Sequence, residues 1–272
     1  MPITNANGVD LYYELTGDHG DPIVLIHGSW TDHSNWSPVV AGLSESFRVV
    51  SYDRRGHGRS GKTGTQGSGE EDALDAAALL TRLDMVPAHV VGNSFGGSIA
   101  LKLAAAQPQV FRSLMVHEPP LFDLITGDPS VLPALAEGRK RREQVIRVLE
   151  SGDRAGAARL FVETLTFGPG GWERMSAQSR ERMIANADTW LDETRDSAGS
   201  SVDLEALARF RKPALLTYGG RGMQGSKRVI EKLAQTIPGS KVDFDPGTGH
   251  APHVSDPGEF VRKVTAFAQS SA

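Results

Sequence analysis

The chain contains no cysteine. Disulfides, thiolate nucleophiles, iron–sulfur clusters and cysteine zinc sites are thereby excluded, and nothing about the redox compartment can be read from thiols. Aromatic residues make up only 7% of the 272 residues, and no apolar run approaches the roughly 20 residues of a membrane span. Neither sign of charge is in large excess: 29 Lys and Arg against 33 Asp and Glu leave a net charge of −4. That balance offers no attraction to nucleic acid or to an anionic membrane surface. Residues 1–8 carry neither a basic nor an apolar stretch, so no secretory signal is read there. The histidines lack H-E-x-x-H spacing, and no metal or cofactor is expected. The expectation is a cytoplasmic protein acting on a small molecule, with no nucleic-acid or membrane partner; a homodimer is one open expectation for its assembly.

What the sequence does contain is an alternation of two periodicities. Residues 9–16, 23–26, 47–52, 88–91, 113–117, 214–218 and 241–245 read as strands, several of them short continuous apolar runs such as Ile23-Val24-Leu25-Ile26, the pattern of buried parallel strands. Helical spacing occupies 70–83, 97–106, 229–236 and 260–268. Strands alternating with helices predict an α/β fold with a mostly parallel central sheet flanked by helices. From about 121 to 210 the pattern is helical and charged with no good strand, which reads as an inserted helical cap. The core is then 1–120 and 211–272, and the cap 121–210. A Gly- and Ser-rich loop spans 61–69.

Chemistry concentrates at Gly92-Asn93-Ser94-Phe95-Gly96, a G-x-S-x-G string that directly follows a strand and opens a helix rich in small residues. In that context a sharp strand-to-helix turn exposes the serine as a nucleophile; the competing reading is a serine in an ordinary glycine turn. Serine needs a base to remove its proton. His250, in Gly249-His250-Ala251-Pro252 after the last strand, would reach the same carboxyl edge of the sheet, unless it is only a loop histidine. His27 and His57 read as structural, through bonds to main chain, and His117 as a packed strand residue. Acyl transfer also requires donors for an oxyanion. The N–H groups of Phe95 and Ser29 are the candidates, the latter from His27-Gly28-Ser29-Trp30 at the end of a buried strand.

His27-Gly28, the segment Asp53-Arg54-Arg55-Gly56-His57-Gly58-Arg59-Ser60, the elbow at Ser94 and Gly249-His250 together resemble the α/β-hydrolase fold family over essentially the whole chain. The resemblance implies a Ser–His–acid triad, a structural role for the 53–60 segment, and an acid placed in G-x-x-D after the strand that resumes the sheet. Here that stretch is Gly219-Gly220-Arg221-Gly222, with glycine where aspartate is expected. Glu118, in Val116-His117-Glu118-Pro119-Pro120 at the end of the strand after the elbow helix, is the candidate acid, and the motif resembles that of zearalenone-type lactonases. A turn role for Glu118, Asp245 as the acid, and a dyad without acid stay open.

An apolar pocket formed by Trp30, Phe122, Phe161 and Trp190 would suit an ester or lactone with an apolar acyl or macrocyclic group. The elbow also resembles that of meta-cleavage-product hydrolases, which act on carbon–carbon bonds, and the absent aspartate leaves room for a slow-turnover ligand-binding protein. The run Arg139-Lys140-Arg141-Arg142 reads as a solvated helix face, with a phosphate- or carboxylate-binding role as the alternative.

Overall fold

A computed structural model describes residues 2–63 and 67–271. Residues 64–66, part of the Gly- and Ser-rich stretch 61–69, lie outside the described residues, as do Met1 and Ala272.

Eight strands form one sheet: β1 (Ile3–Ala6), β2 (Val9–Thr16), β3 (Asp21–Ile26), β4 (Phe47–Tyr52), β5 (Ala88–Asn93), β6 (Phe111–His117), β7 (Ala214–Arg221) and β8 (Lys241–Gly249), in the order β1-β2-β4-β3-β5-β6-β7-β8. β1 and β2 pair antiparallel and the rest run parallel from β4 to β8. The continuous apolar runs are the central strands because both faces of the sheet are covered. Successive side chains point to opposite faces: Val24, Ile26, Val50 and Val90 enter one apolar cluster, while Ile23, Leu25, Val49 and Val91 enter another.

Among the described residues, the α-helices outside the long helical block are α1 (Ser37–Ser44), α2 (Gly69–Arg82) and α3 (Phe95–Ala106) before β6, and α10 (Ser226–Thr236), α11 (Pro252–Ser255) and α12 (Pro257–Gln269) after β7. α2, α3 and α10 cover the face of Val24; α1 and α12 cover the face of Leu25. α2 starts on a capping box between Ser68 and Glu71, which satisfies two otherwise orphaned N–H groups. α3 is buried over nearly its whole length, as its run of Gly, Ala and Leu permits. β1 and α1 have no counterpart among the expected elements. β1 is four residues long with a polar centre, and only Val39 and Leu43 of α1 are buried, too few for a readable period.

Between β6 and β7 lie α4 (Leu132–Glu150), α5 (Arg154–Phe161), α6 (Gly171–Arg174), α7 (Ala177–Ala185), α8 (Thr189–Arg195) and α9 (Leu204–Leu207). α4 to α8 share an apolar cluster of their own, built on Val145, Leu149, Ala157, Val162 and Met183, whereas Leu207 of α9 belongs to the cluster that contains Val24. Trp30, in the loop that follows β3, is inserted into the cluster of α4 to α8 and fully buried, with ring centroids 5.1 Å from Phe161 and 5.3 Å from Trp190. Among the described residues, no helix is long and apolar enough to cross a membrane.

Candidate active site

Ser94 sits between the last residue of β5 and the first of α3 with φ 55° and ψ −127°, a conformation that costs a non-glycine residue of order 1–3 kcal/mol. The surrounding packing imposes it. A Cβ on Gly96 would stand 2.1 Å from the carbonyl oxygen of Ile26, so only glycine lets the elbow press against β3. The turn lifts the Ser94 side chain into a cavity of about 460 Å³.

His250 follows β8 directly, and its Nδ1–H donates to Glu118 Oε2 at 2.8 Å. Glu118 is fully buried just past the end of β6 and has φ 47°. Its carboxylate also accepts from the main-chain N–H of Gly219 at 3.1 Å and of Met223 at 2.9 Å. Burial alone would raise the pKa of Glu118, but the hydrogen bond and charge of His250, with the Met223 amide, hold it below the usual carboxylate value. The volume this carboxylate occupies belongs to position 222: a Cβ there would lie 1.6 Å from Glu118 Oε1. With Glu118 in this place, position 222 accepts no side chain without movement. Asp245 turns instead onto its own loop, accepting from Gly247 N–H at 2.8 Å and from the Thr248 hydroxyl at 2.5 Å.

The elbow and the histidine loop are tied together by Asn93, whose side-chain amide donates to the His250 carbonyl at 2.9 Å. His117 supports the same loop from below. Its ring bridges the Thr217 hydroxyl at 2.8 Å and the Gly249 carbonyl at 3.1 Å, and burial lowers its pKa to about 4. Among the described residues no hydrogen bond joins Ser94 Oγ to His250; such bonds commonly close only around substrate.

Phe95 is the first residue of α3, so its N–H has no partner within the helix. On the opposite side, the Arg54 N–H donates to His27 Nε2 at 3.1 Å, which puts the ring proton on Nδ1, and Nδ1 donates to the Gly28 carbonyl at 2.9 Å. In a trans peptide the N–H points opposite to the carbonyl. The Gly28 carbonyl is thus drawn toward His27, and the Ser29 N–H faces away from that ring. Gly28 itself abuts Ser94, with a Cβ built there 3.6 Å from Ser94 Oγ.

Ser29, Ser94, Phe95, Phe122, Phe161 and Trp190 all line the cavity. Trp30 does not: it is packed inside the helical cluster, so its indole forms the layer behind Phe161 and Trp190 rather than the wall itself. The basic run also departs from the solvated face read in the sequence, because Arg139, Arg141 and Arg142 border the cavity. Glu193 on α8 was not legible at all. Its buried carboxylate accepts from Ser29 Oγ and from Arg54, joining the helical block to the strand ends. Nothing in an ordinary amphipathic helix marks such a residue.

Asp53 accepts from the His33 N–H at 2.8 Å, from His33 Nδ1 at 2.6 Å and from the Arg59 N–H at 2.8 Å, so the 53–60 segment is a hydrogen-bonded loop. Asp32, His33 and Asp53 bring ligand-type atoms within 4.8 Å of one another. Their lone pairs are largely engaged, since Asp32 caps Ser34 in the same way that Asp53 holds His33.

A mostly parallel sheet presenting a serine at a strand-to-helix elbow, with a buried histidine–carboxylate pair along the same edge, defines an α/β hydrolase architecture. Residues 23–263 match the Alpha/beta hydrolase family, and the chain belongs to that family. It is 26% identical over 285 residues to the bifunctional esterase/perhydrolase DCH of Acinetobacter calcoaceticus, covering 98% of this chain and 99% of that one. It is 41% identical over 118 residues to 3-oxoadipate enol-lactonase 1 of Acinetobacter baylyi, covering 42% of this chain and 43% of that one. Against several curated relatives the chain spans less than half of the relative's length, 32% in one case. The enol-lactonase of Burkholderia xenovorans LB400 superposes with a TM-score of 0.80 at 22% identity, over 98% of this chain and 100% of that one, and shares the fold.

Proposed function

We propose that the protein hydrolyses carboxylic esters or lactones through an acyl-enzyme on Ser94. The observation that carries this reading is the 2.8 Å bond from His250 to the buried Glu118 carboxylate, set beside a serine elbow in a cavity. His250 Nε2 takes the Ser94 proton as Oγ attacks the carbonyl carbon, while Glu118 holds the ring through Nδ1–H and stabilises the imidazolium. The N–H groups of Phe95 and Ser29 receive the oxyanion. The imidazolium protonates the leaving alcohol; a water, activated by the same histidine, then releases the acid and regenerates Ser94. Every step uses side chains and main-chain N–H groups of this molecule together with water.

The aromatic and aliphatic wall of Phe122, Phe161, Leu165 and Trp190 supports an apolar acyl or macrocyclic group as the part of the substrate held against it. The kinship with an esterase/perhydrolase over nearly the full length supports the ester. The test is a fluorophosphonate probe, followed by peptide mass mapping and a screen of esters and macrocyclic lactones. Labelling at Ser94, and hydrolysis that Ser94→Ala lowers by at least about 10³-fold, is the expected result. An unlabelled Ser94, or an S94A variant as active as wild type, overturns the proposal.

A further inference from the structure

The cavity that holds Ser94 is not apolar throughout, and its cations are unequally matched. Arg141 pairs with Glu137 at 3.1 Å and donates to the Thr164 carbonyl at 3.1 Å. Arg228 pairs with Glu231 and Asp128, and Lys227 with Glu231. Arg142 is different: among the described residues it has no ion pair and no hydrogen bond, although it borders the cavity and is only partly exposed. The two acids whose field reaches it are Asp123 and Glu193, and Glu193 already holds Ser29 and Arg54.

A guanidinium stays charged at any working pH and presents a planar fork of donors. Burial pushes the Arg142 pKa down; the charges of Asp123 and Glu193 oppose the effect and that of Arg139 adds to it. Arg139 lies one helical turn away on α4, at the exposed rim of the same cavity and also without a partner among the described residues. Of the cations that line the cavity, Arg142 is the partly buried fork that has no ion pair or hydrogen bond among the described residues, which makes it a site for a planar monoanion.

We infer that Arg142 binds a carboxylate at the end of the substrate remote from the scissile bond, so that the preferred substrates are esters or lactones of acids bearing a second, free carboxylate. The inference rests on the hydrolytic reading of Ser94 and adds an anionic terminus to the apolar acyl body.

The experiment compares kcat/KM for monomethyl adipate and methyl hexanoate, which differ in the terminal carboxylate, and measures adipate binding to the S94A protein by tryptophan fluorescence. Wild type is expected to favour monomethyl adipate by roughly 10- to 100-fold, the value of one charge-assisted pair. Arg142→Gln collapses that ratio toward one and abolishes adipate binding in the S94A background. Lys140→Gln, which removes a charge from the exposed side of the same helix, keeps the wild-type ratio. The assignment is overturned if R142Q retains the ratio or the adipate affinity, or if inorganic phosphate binds as well as adipate. If adipate binds through Arg142 while Ser94 is not labelled by the fluorophosphonate and neither ester is turned over, the hydrolytic reading fails and the anion subsite stands.

Discussion

Glu118 holds the most consequential geometry of any single residue. Its positive φ, its burial and its three hydrogen-bond donors are local costs and compensations that together aim one carboxylate oxygen at His250 Nδ1. Glu118→Gln preserves the shape but not the charge, and its kcat on an ester is expected to fall by about 10²- to 10⁴-fold with the fold retained by circular dichroism; a variant within twofold of wild type would remove Glu118 from the mechanism. Position 222 offers a sharper trial. Gly222→Asp alone drives a side chain into the Glu118 carboxylate and should lower both stability and activity. Coupled with Glu118→Asn, a shorter residue that tolerates positive φ, the carboxylate introduced at position 222 enters the vacated volume. The double variant is expected to exceed E118N in kcat, and a double variant no better than E118N would show that the volume is not equivalent. In the sequence, Gly222 revealed where an acid was absent, and the prolines after Glu118 marked a strand end where one could stand. The donors that fix its carboxylate were not legible, because main-chain N–H groups from Gly219 and Met223 carry no residue-type signal.

At the scale of elements, α8 is joined to the strand ends by Glu193. Arg54 lies fully buried beneath it, donating to Glu193 and to His57 Nε2, with Asp72 at 3.5 Å and the Phe95 ring centroid 5.0 Å from its Cζ. Removing one partner of a buried ion pair leaves the other charge uncompensated, typically at about 3–5 kcal/mol. Glu193→Ala is therefore expected to lower Tm by roughly 2–4 °C per kcal/mol lost, as for domains somewhat smaller than this. It should also raise KM, since Ser29 loses the partner that holds its side chain at the cavity wall. A thermal melt unchanged within about 2 °C, on that same scale, would mean that Asp72 alone compensates Arg54. The long central strands were legible because burial on both faces forces continuous apolar runs, and α2 because it carries a readable cap. Trp30 was not, since a tryptophan after a strand looks the same whether it lines a cavity or fills the layer behind it.

Over the whole molecule, the groups of the site come from strand ends far apart in the chain and meet along one edge of the sheet, while the fold sets a pH dependence of its own. His27, His57, His89, His117 and His253 are buried, and burial is the leading reason that each has its pKa lowered. The unfolded chain therefore binds more protons at these five sites below about pH 6.5, so their stabilisation is complete above that value and is lost as the pH falls toward their folded values. Asp72 acts in the other direction. Burial raises its pKa to about 7, against the opposing field of Arg54, so the native state keeps a proton that the unfolded chain has released; the stability from Asp72 is present below its ordinary value and is lost as the pH rises through 7. Glu193, raised by burial, and His33, raised by Asp53 against its own burial, share that sign. His19 on the surface, raised by its hydrogen bond to Asp18, has that sign as well, and five sites against four predict a stability that rises from pH 5 to pH 7. Asp72→Asn removes one of the opposing contributions and should steepen that rise by up to about 1.4 kcal/mol per pH unit. Urea unfolding at pH 5, 6 and 7 reads the effect as a slope, which a pH-independent cost of the substitution does not change. An unaltered or shallower slope in D72N would show that Asp72 is ionised across this range in the folded protein.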